Sequence, residues 1–119
     1  MRALVHPPLE DVSLEGLLYA LSDGTRLQIV WELSQASPRS LNCAEAVAKI
    51  ADLAPSTRSH HFRILREGGV IRSERKGKEC NNVLRADELE QKFPGLLSTI
   101  LRQYSEKARH SDEPFPKKS

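Results

Sequence analysis

The segment from Ala54 to Ile71, APSTRSHHFRILREGGVI, constrains the fold of this chain more than any other. It predicts a polar turn followed by a helix that has one apolar face and one face of serine, threonine, histidine and arginine. Two glycines end the helix, because glycine tolerates the left-handed conformation of a C-cap. A basic two-stranded hairpin, IRSERKGKE and then CNNVLR, follows directly. This succession of helix and hairpin predicts a winged helix-turn-helix.

The residues before this segment predict three further helices. Leucines recur at i, i+3, i+4 and i+7 from Leu14 onward, which marks an amphipathic first helix. Asp23 or Thr25 is expected to cap a second helix. Residues 41–43 favour a short strand, and a third helix is predicted over residues 44–51.

The whole chain predicts one mainly α-helical domain with a small antiparallel β wing, an α+β fold. After the hairpin, Asp87 is expected to cap a short helix, and a last helix with an apolar stripe follows. Its 119 residues are enough for one modest core. We expect an N-terminal arm at residues 1–10, the winged helix-turn-helix domain with its last helix at 11–108, and a disordered tail at 109–119.

Charge is distributed unevenly along the chain. Residues 55–85 hold eight lysines and arginines against three glutamates, a net charge of +5, although the whole chain carries only +2. The remainder is therefore acidic, with a net charge of −3. A basic segment on an acidic body is typical of a nucleic-acid-binding surface. A solvated basic hairpin with no ligand is the alternative interpretation of the same pattern.

Several classes of protein are disfavoured. No run approaches the roughly 18 apolar residues of a membrane span, and the N-terminus lacks the apolar region of a secretory signal, so we expect a cytoplasmic protein. Neighbouring residues on a helix diverge by about 100°, so His60 and His61 do not chelate one ion together. With no nucleophile and base set and no phosphate-binding loop, the chain is not expected to be an enzyme or to hold a cofactor.

Two stretches, ALSDGTRLQIVWELS and STRSHHFRILREGGVIRSERKG, resemble the ArsR/SmtB group of bacterial repressors over roughly residues 14–86. The most specific pieces are S-x-x-S-H-H-x-x-x-L-R-E-x-G-x-I at Ser56–Ile71 and D-x-T-R-L at Asp23–Leu27. The resemblance implies a homodimer that binds a pseudo-palindromic operator on double-stranded DNA and releases it when an inducer binds. Gly24 replaces a common proline and Arg58 a small apolar residue of that group.

The predicted DNA-binding residues fall into two sets. On the recognition helix, hydroxyl, imidazole and guanidinium groups are expected to enter the major groove: Ser56, Thr57, Arg58, Ser59, His60 and Arg63. On the wing, basic side chains are expected to contact phosphates beside the minor groove: Arg72, Arg75, Lys76 and Lys78. Arg58 falls on the inward face by periodicity and is expected to reach the helix edge. By resemblance, Arg26 is a further phosphate contact, and an internal ion pair is its alternative.

The predicted dimer interface joins the apolar stripes of the first and last helices, because no surface of so small a domain obviously covers the last stripe. Its residues are Leu14, Leu17, Leu18, Leu96, Leu97, Ile100, Leu101 and Tyr104. The alternative is that the last stripe covers the core of its own subunit.

The effector is left open by the sequence. The metal-sensing members of the group use cysteine sets near the third helix or Asp/His pairs on the last helix, and Cys43 with Glu45 supplies too few ligands for a soft metal. If residues 41–43 pair with the second wing strand, Cys43 lies near Cys80 and a thiol-based redox switch is possible. An organic ligand or no ligand is the remaining option. A winged-helix module that binds protein instead of DNA is the alternative function.

Overall fold

The computed structural model describes residues 4–110 and shows the predicted α+β architecture. The elements follow in this order: a 3-10 helix at Leu9–Asp11, α1 at Leu14–Ala20, α2 at Gly24–Ala36, β1 at Leu41–Asn42, α3 at Cys43–Ala46, α4 at Pro55–Glu67, β2 at Ile71–Lys76, β3 at Glu79–Leu84, α5 at Ala86–Lys92 and α6 at Leu96–His110. The strands form one antiparallel sheet in the order β1-β3-β2. The hairpin β2–β3 is the predicted wing.

Polar caps set where the helices begin. The Asp23 carboxylate accepts hydrogen bonds from the backbone N–H groups of Thr25 and Arg26, at 2.8 and 3.1 Å, and so caps α2. Asn42 and Glu45 form a reciprocal capping box at the start of α3. Pro55 occupies the first turn of α4, where its missing N–H costs nothing.

The core lies between α1, α2, α4 and the base of the sheet. Its largest fully buried side chains include Leu17, Ile29, Leu33, Phe62 and Leu65. Two of them, Phe62 and Leu65, come from α4, so hydrophobic burial fixes which face of that helix turns inward.

A buried asparagine joins the wing to β1. Asn82 lies at the centre of the sheet, where its amide donates to the backbone oxygen of Leu41 at 3.1 Å and its side-chain oxygen accepts from the Ser73 hydroxyl at 2.6 Å. Because a buried polar group must keep its hydrogen bonds, these contacts fix the three strands relative to one another.

The N-terminal arm packs against the body. The backbone N–H of Ser73, at the free edge of β2, donates to Nε2 of His6 at 2.9 Å. Arg85 donates to the backbone oxygen of Pro7 at 2.8 Å, and Lys92 donates to that of Leu9 at 2.9 Å. The arm thus covers part of a strand edge that would otherwise be unpaired.

A close approach behind α4 requires glycine. Gly69 has a φ of 80°, and a Cβ added there would lie 2.4 Å from a methyl carbon of Val12. Only glycine accepts both the conformation and the contact, so the chain turns from α4 into the wing directly beneath the end of the arm.

Three predicted details are wrong. The third helix covers Cys43–Ala46 and not residues 44–51, because the chain leaves it through turns that end at Asp52, whose φ is 57°. Asp87 lies within the first turn of α5 instead of capping it. Residues 109 and 110 of the predicted tail belong to α6, and the rest of that tail, residues 111–119, lies outside the described residues.

Within residues 4–110, no helix has the length and the apolar character that a membrane crossing requires.

Candidate nucleic-acid interface

The outward face of α4 carries the predicted groove-reading side chains. Ser56, Thr57, Ser59, His60 and Arg63 are all exposed. They are exposed because the residues that alternate with them, among them Phe62 and Leu65, are drawn into the core. The face therefore offers hydroxyls, an imidazole and a guanidinium together, near the N-terminal end of the helix.

A hydrogen bond orders two of these side chains. The guanidinium of Arg63 lies 3.1 Å from Nδ1 of His60, one turn away on the same helix. Since a guanidinium only donates, Nδ1 is the acceptor and the neutral ring carries its proton on Nε2. His60 thus presents an N–H donor to whatever occupies the surface in front of α4.

The wing carries its basic side chains in two different settings. Arg75, Lys76 and Lys78 are exposed near the tip, which turns at Gly77 with a φ of 62°. Arg72 lies at the base, where it forms a salt bridge of 2.9 Å to Glu88 on α5. Lys76 lies 3.8 Å from the exposed carboxylate of Glu74. Arg75 and Lys78 are therefore the tip residues that are most free to contact a ligand, whereas Arg72 is held by Glu88.

Glu88 is held ionised by two arginines. Its carboxylate accepts hydrogen bonds from the buried Arg85 at 2.7 Å and from Arg72 at 2.9 Å. Hydrogen bonding by Arg85 is the main reason that the pKa of Glu88 falls to about 2. This ion cluster fixes the base of the wing to α5.

A basic cleft of about 440 Å³ separates α4 from the wing. Four cationic side chains line it, together with Ser59 and one carboxylate, that of Glu79. The cations are Arg58, Arg66, Arg75 and Lys78. We call this feature the basic cleft. A cleft with this charge suits a phosphate group.

Arg58 and Arg66 occupy the rim of the cleft for a periodic reason. Arg58, Phe62 and Arg66 are spaced by four residues and so share one side of α4. Phe62 is buried, while the two longer side chains flank it and are half-buried. Sequence analysis had not identified Arg66, although the i, i+4, i+8 spacing from Arg58 was available to find it.

The structure places Arg26 in the interior and not at a surface where it could contact a phosphate. Its side chain is only 5% exposed, and it donates to the backbone oxygens of Ala20 at 2.8 Å and Tyr19 at 3.2 Å. Its third contact, at 3.2 Å, is Nδ1 of His61 on α4. A guanidinium that is buried and bonded in this way is not available to DNA, and it joins α2 to the recognition helix instead.

His61 faces the interior, unlike its neighbour His60. Burial is the main cause that lowers the pKa of His61; the Asp23 carboxylate opposes the shift, and the Arg26 charge adds to it. A neutral ring is needed for Nδ1 to accept from Arg26. The two motifs quoted above, at Asp23–Leu27 and Ser56–Ile71, therefore meet at this contact.

The predicted dimer residues divide into two groups. Leu17 and Leu97 are 0% and 7% exposed and belong to the core of the single chain, which corrects their assignment to an interface. Leu14 and Leu18 are 43% and 44% exposed. The remaining residues are partly buried against the core or against α2: Leu96, Ile100, Leu101 and Tyr104.

Tyr104 shows how α6 is attached. Its ring packs against Trp31 of α2 with 5.8 Å between centroids, and its hydroxyl lies 3.3 Å from the side-chain oxygen of Gln28. Part of the α6 stripe thus covers the chain's own α2, as the alternative interpretation expected.

The two cysteines lie near each other in the basic cleft. Sγ of Cys43 is 3.9 Å from the backbone oxygen of Cys80 and 3.6 Å from the amide nitrogen of Asn82. The pairing of β1 with β3, on which the thiol alternative depended, is present. Among residues 4–110, no three His, Cys, Asp or Glu side chains cluster as a metal ion would need.

Comparison with known proteins identifies related sequences. A helix-turn-helix domain family matches residues 21–74. YceK, an uncharacterized helix-turn-helix-type transcriptional regulator of Bacillus subtilis (strain 168), is 35% identical over 81 residues, which span 68% of this chain and 79% of YceK.

Solved structures are similar as well. The transcriptional repressor BigR from Xylella fastidiosa is 25% identical with a TM-score of 0.53, over 67% of this chain and 85% of BigR. An ArsR-like transcriptional regulator from Rhodococcus sp. RHA1 is 25% identical with a TM-score of 0.54, over 81% of this chain and 83% of that one. The ArsR family regulator RHA00566 shares the fold at 19% identity, with a TM-score of 0.57 over 93% of this chain and 99% of that one. These relatives are transcriptional regulators and not enzymes.

Proposed function

Because this chain belongs to the ArsR family of winged helix-turn-helix transcriptional regulators, we propose that it binds a pseudo-palindromic DNA operator as a homodimer. It represses transcription in the bacterial cytoplasm until an effector releases it. One observation carries the proposal: the polar face of α4 and the basic tip of the wing are exposed on the two sides of one basic cleft.

The N-terminal half of α4 enters the major groove. Ser59 and His60 contact base edges, with Nε2–H of His60 donating to a purine N7 or a carbonyl oxygen. Ser56 and Thr57, in the first turn, lie where helix-turn-helix proteins approach the groove. Arg63 contacts guanine or a phosphate, and its hydrogen bond to His60 limits the orientations that both side chains adopt.

The wing and the basic cleft hold the sugar-phosphate backbone. Lys76 and Lys78 flank the tip at Gly77 and reach phosphates beside the minor groove. Arg75 points into the basic cleft with Arg58 and Arg66, where one phosphate between the two grooves fits. These contacts position the protein without reading sequence.

Two copies associate through α1 and α6. In support, Leu14 and Leu18 lie one turn apart on α1 and, together with Tyr19, which is 60% exposed, leave an apolar strip in solvent. Such a strip is what a self-complementary two-fold interface covers. Leu18→Asp should convert a dimer into a monomer in sedimentation velocity, whereas Glu15→Ala on the same helix should leave the mass unchanged. A monomeric wild-type protein would reject this part of the proposal.

Selection from a random DNA library tests the proposed function. Purified, reduced protein should enrich two inverted half-sites whose centres lie about 10 base pairs apart, one helical turn. Enrichment of a single half-site would contradict the dimer. No enrichment, with a folded protein, would contradict DNA binding and favour the alternative, a winged-helix module that binds another protein.

A further inference from the structure

The two cysteines lie close together where β1 ends beside β3. β1 and β3 pair Leu41 with Asn82 and Asn42 with Asn81. Cys43 begins α3 directly after this pairing ends, and Cys80 lies on β3 two residues before Asn82. Both cysteines line the cleft between the wing and α4, together with Phe62 of that helix. The 3.9 Å contact from Sγ of Cys43 to the backbone of Cys80 agrees with this placement.

The surroundings of the thiols are strongly cationic. Arg58, Arg66, Arg75 and Lys78 line the cleft that contains both cysteines, against the one carboxylate of Glu79. At about 440 Å³ the cleft is in the size range of small-molecule sites. An anionic small molecule is therefore drawn to the same place as the two thiols.

We propose that Cys43 and Cys80 form a reversible disulfide, that its oxidant is the disulfide of an anionic low-molecular-weight thiol, and that the bond weakens operator binding. The effect on the operator rests on the proposed function above. The thiol chemistry itself does not.

The reaction is a double thiol–disulfide exchange. The thiolate of Cys80 attacks one sulfur of the oxidant RSSR, whose S–S bond breaks, and RS⁻ leaves and takes up a proton. Cys43 then gives its proton to solvent and attacks Sγ of Cys80, which expels the second RS⁻. Two protein thiols are oxidised by two electrons, and one small disulfide is reduced to two thiols.

The order of attack follows from the surroundings of Cys43. Burial raises the pKa of its thiol, opposed by the hydrogen bond from Asn82 and reinforced by the nearby Cys80. A thiol that is kept protonated is the poorer first nucleophile. Cys43 therefore resolves the mixed disulfide that Cys80 forms.

The bond would change the interface because of what it moves. The sulfur atoms of a disulfide are about 2.05 Å apart, so Cys80 must approach the start of α3, and the 3.6 Å contact between Asn82 and Cys43 is replaced. Arg75 is the cross-strand partner of Cys80 on β2 and moves with it. The wing cations then shift relative to α4. As a result, the wing and α4 no longer fit their DNA contacts at the same time.

Two disulfides of opposite charge test the chemistry. Reduced full-length protein is treated with oxidised glutathione, which is anionic, or with cystamine, which is cationic, and peptide mapping follows the products. We expect an intramolecular Cys43–Cys80 disulfide that forms about tenfold faster with oxidised glutathione, with this preference lost in 1 M salt. Mixed disulfides without the internal bond, or a preference for cystamine, would overturn the proposal.

Single variants assign the steps. In the Cys43→Ser variant, the reaction with oxidised glutathione should stop at a mixed disulfide on Cys80. In the Cys80→Ser variant, Cys43 should form its mixed disulfide slowly. If a variant fails to fold, the wild-type peptide map still decides between an internal bond and separate adducts.

Operator affinity completes the test. Oxidation should weaken binding to the selected operator about tenfold, comparable to losing one base contact, and dithiothreitol should restore it. An internal disulfide with unchanged affinity would reject the regulatory role. If reduced protein binds no DNA at all, the proposed function fails, and the peptide map still reports on the thiol chemistry.

Discussion

Two arginine–histidine pairs lie on opposite sides of helix α4, and they have different roles. On the inner side, Arg26 reaches Nδ1 of His61 at 3.2 Å; on the outer side, Arg63 reaches Nδ1 of His60 at 3.1 Å. The two histidines are adjacent in sequence and point in directions about 100° apart. The chemistry of the two contacts is the same, and their surroundings differ.

The inner pair belongs to the fold. Arg26 satisfies two backbone oxygens besides His61, and its guanidinium lies 5.3 Å from the centre of the Tyr19 ring. A buried charge with this many partners is costly to disturb. The outer pair stands in solvent, where an isolated contact contributes little to stability and its donors are free to meet a ligand. Burial, more than residue type, separates a structural pair from a binding one.

The largest expected effect comes from breaking the inner pair. Arg26→Ala should lower the free energy of unfolding by about 3 kcal/mol, because it leaves buried acceptors on Ala20, Tyr19 and His61 without a donor. Denaturant titration measures the change. Arg39→Ala, at an exposed arginine that follows α2, is the matched control and should stay within about 0.5 kcal/mol of wild type. An equal change in the free energy of unfolding in the two variants would show that Arg26 has no special structural role.

Breaking the outer pair should spare the fold and damage DNA binding. The double substitution of His60→Ala and Arg63→Ala should weaken operator binding about 100-fold, since good base contacts are worth roughly 1–3 kcal/mol each. The free energy of unfolding should change by about 0.5 kcal/mol or less. Fluorescence anisotropy with operator and with scrambled DNA measures how far the preference for the operator is lost. Unchanged operator affinity would place the groove-reading face elsewhere.

The wing offers a milder version of the same contrast, between a free and a paired cation. Lys78→Ala should reduce the slope of log affinity against log salt by about 0.9, the value for one lost phosphate contact. Arg72→Ala should reduce it less, because Arg72 is already paired with Glu88. Titrations at several salt concentrations compare the two slopes. A larger change from Arg72→Ala would mean that this salt bridge opens on DNA.

The smallest expected effect is a dependence of the free energy of unfolding on pH that comes from His61 and His6. Burial is the leading cause that lowers the pKa of His61 and also that of His6, where the charges of Arg72, Arg66 and Arg85 add to it. Because folding then favours the neutral ring, their contribution is complete above the unfolded value of about 6.5 and is lost as pH falls through the folded value. Denaturation between pH 8 and pH 5 should show this decline, and His6→Gln should flatten it. A free energy of unfolding that increases as the pH falls from 8 to 5 would contradict this prediction.

Much of the fold could be predicted because its signals are local. The leucine spacing of α1, the cap at Asp23, the glycines after α4 and the alternation of the wing each depend on neighbours a few residues apart. The length of α3 was mispredicted, since Val47 and Ile50 continue an apolar pattern beyond Ala46 while the backbone has already turned. Periodicity records which residues are apolar and does not register the point at which a short helix ends.

The amino-acid sequence by itself determined the order of elements, the basic segment and the side chains available to α4, because these follow from spacing and composition. The tertiary structure decided which of those side chains are free. It buried Arg26 against His61, drew Leu17 and Leu97 into the core, and brought Cys43 close to Cys80 in the basic cleft. These outcomes depend on contacts between residues distant in sequence, and burial changes what a charge, a leucine or a thiol can do.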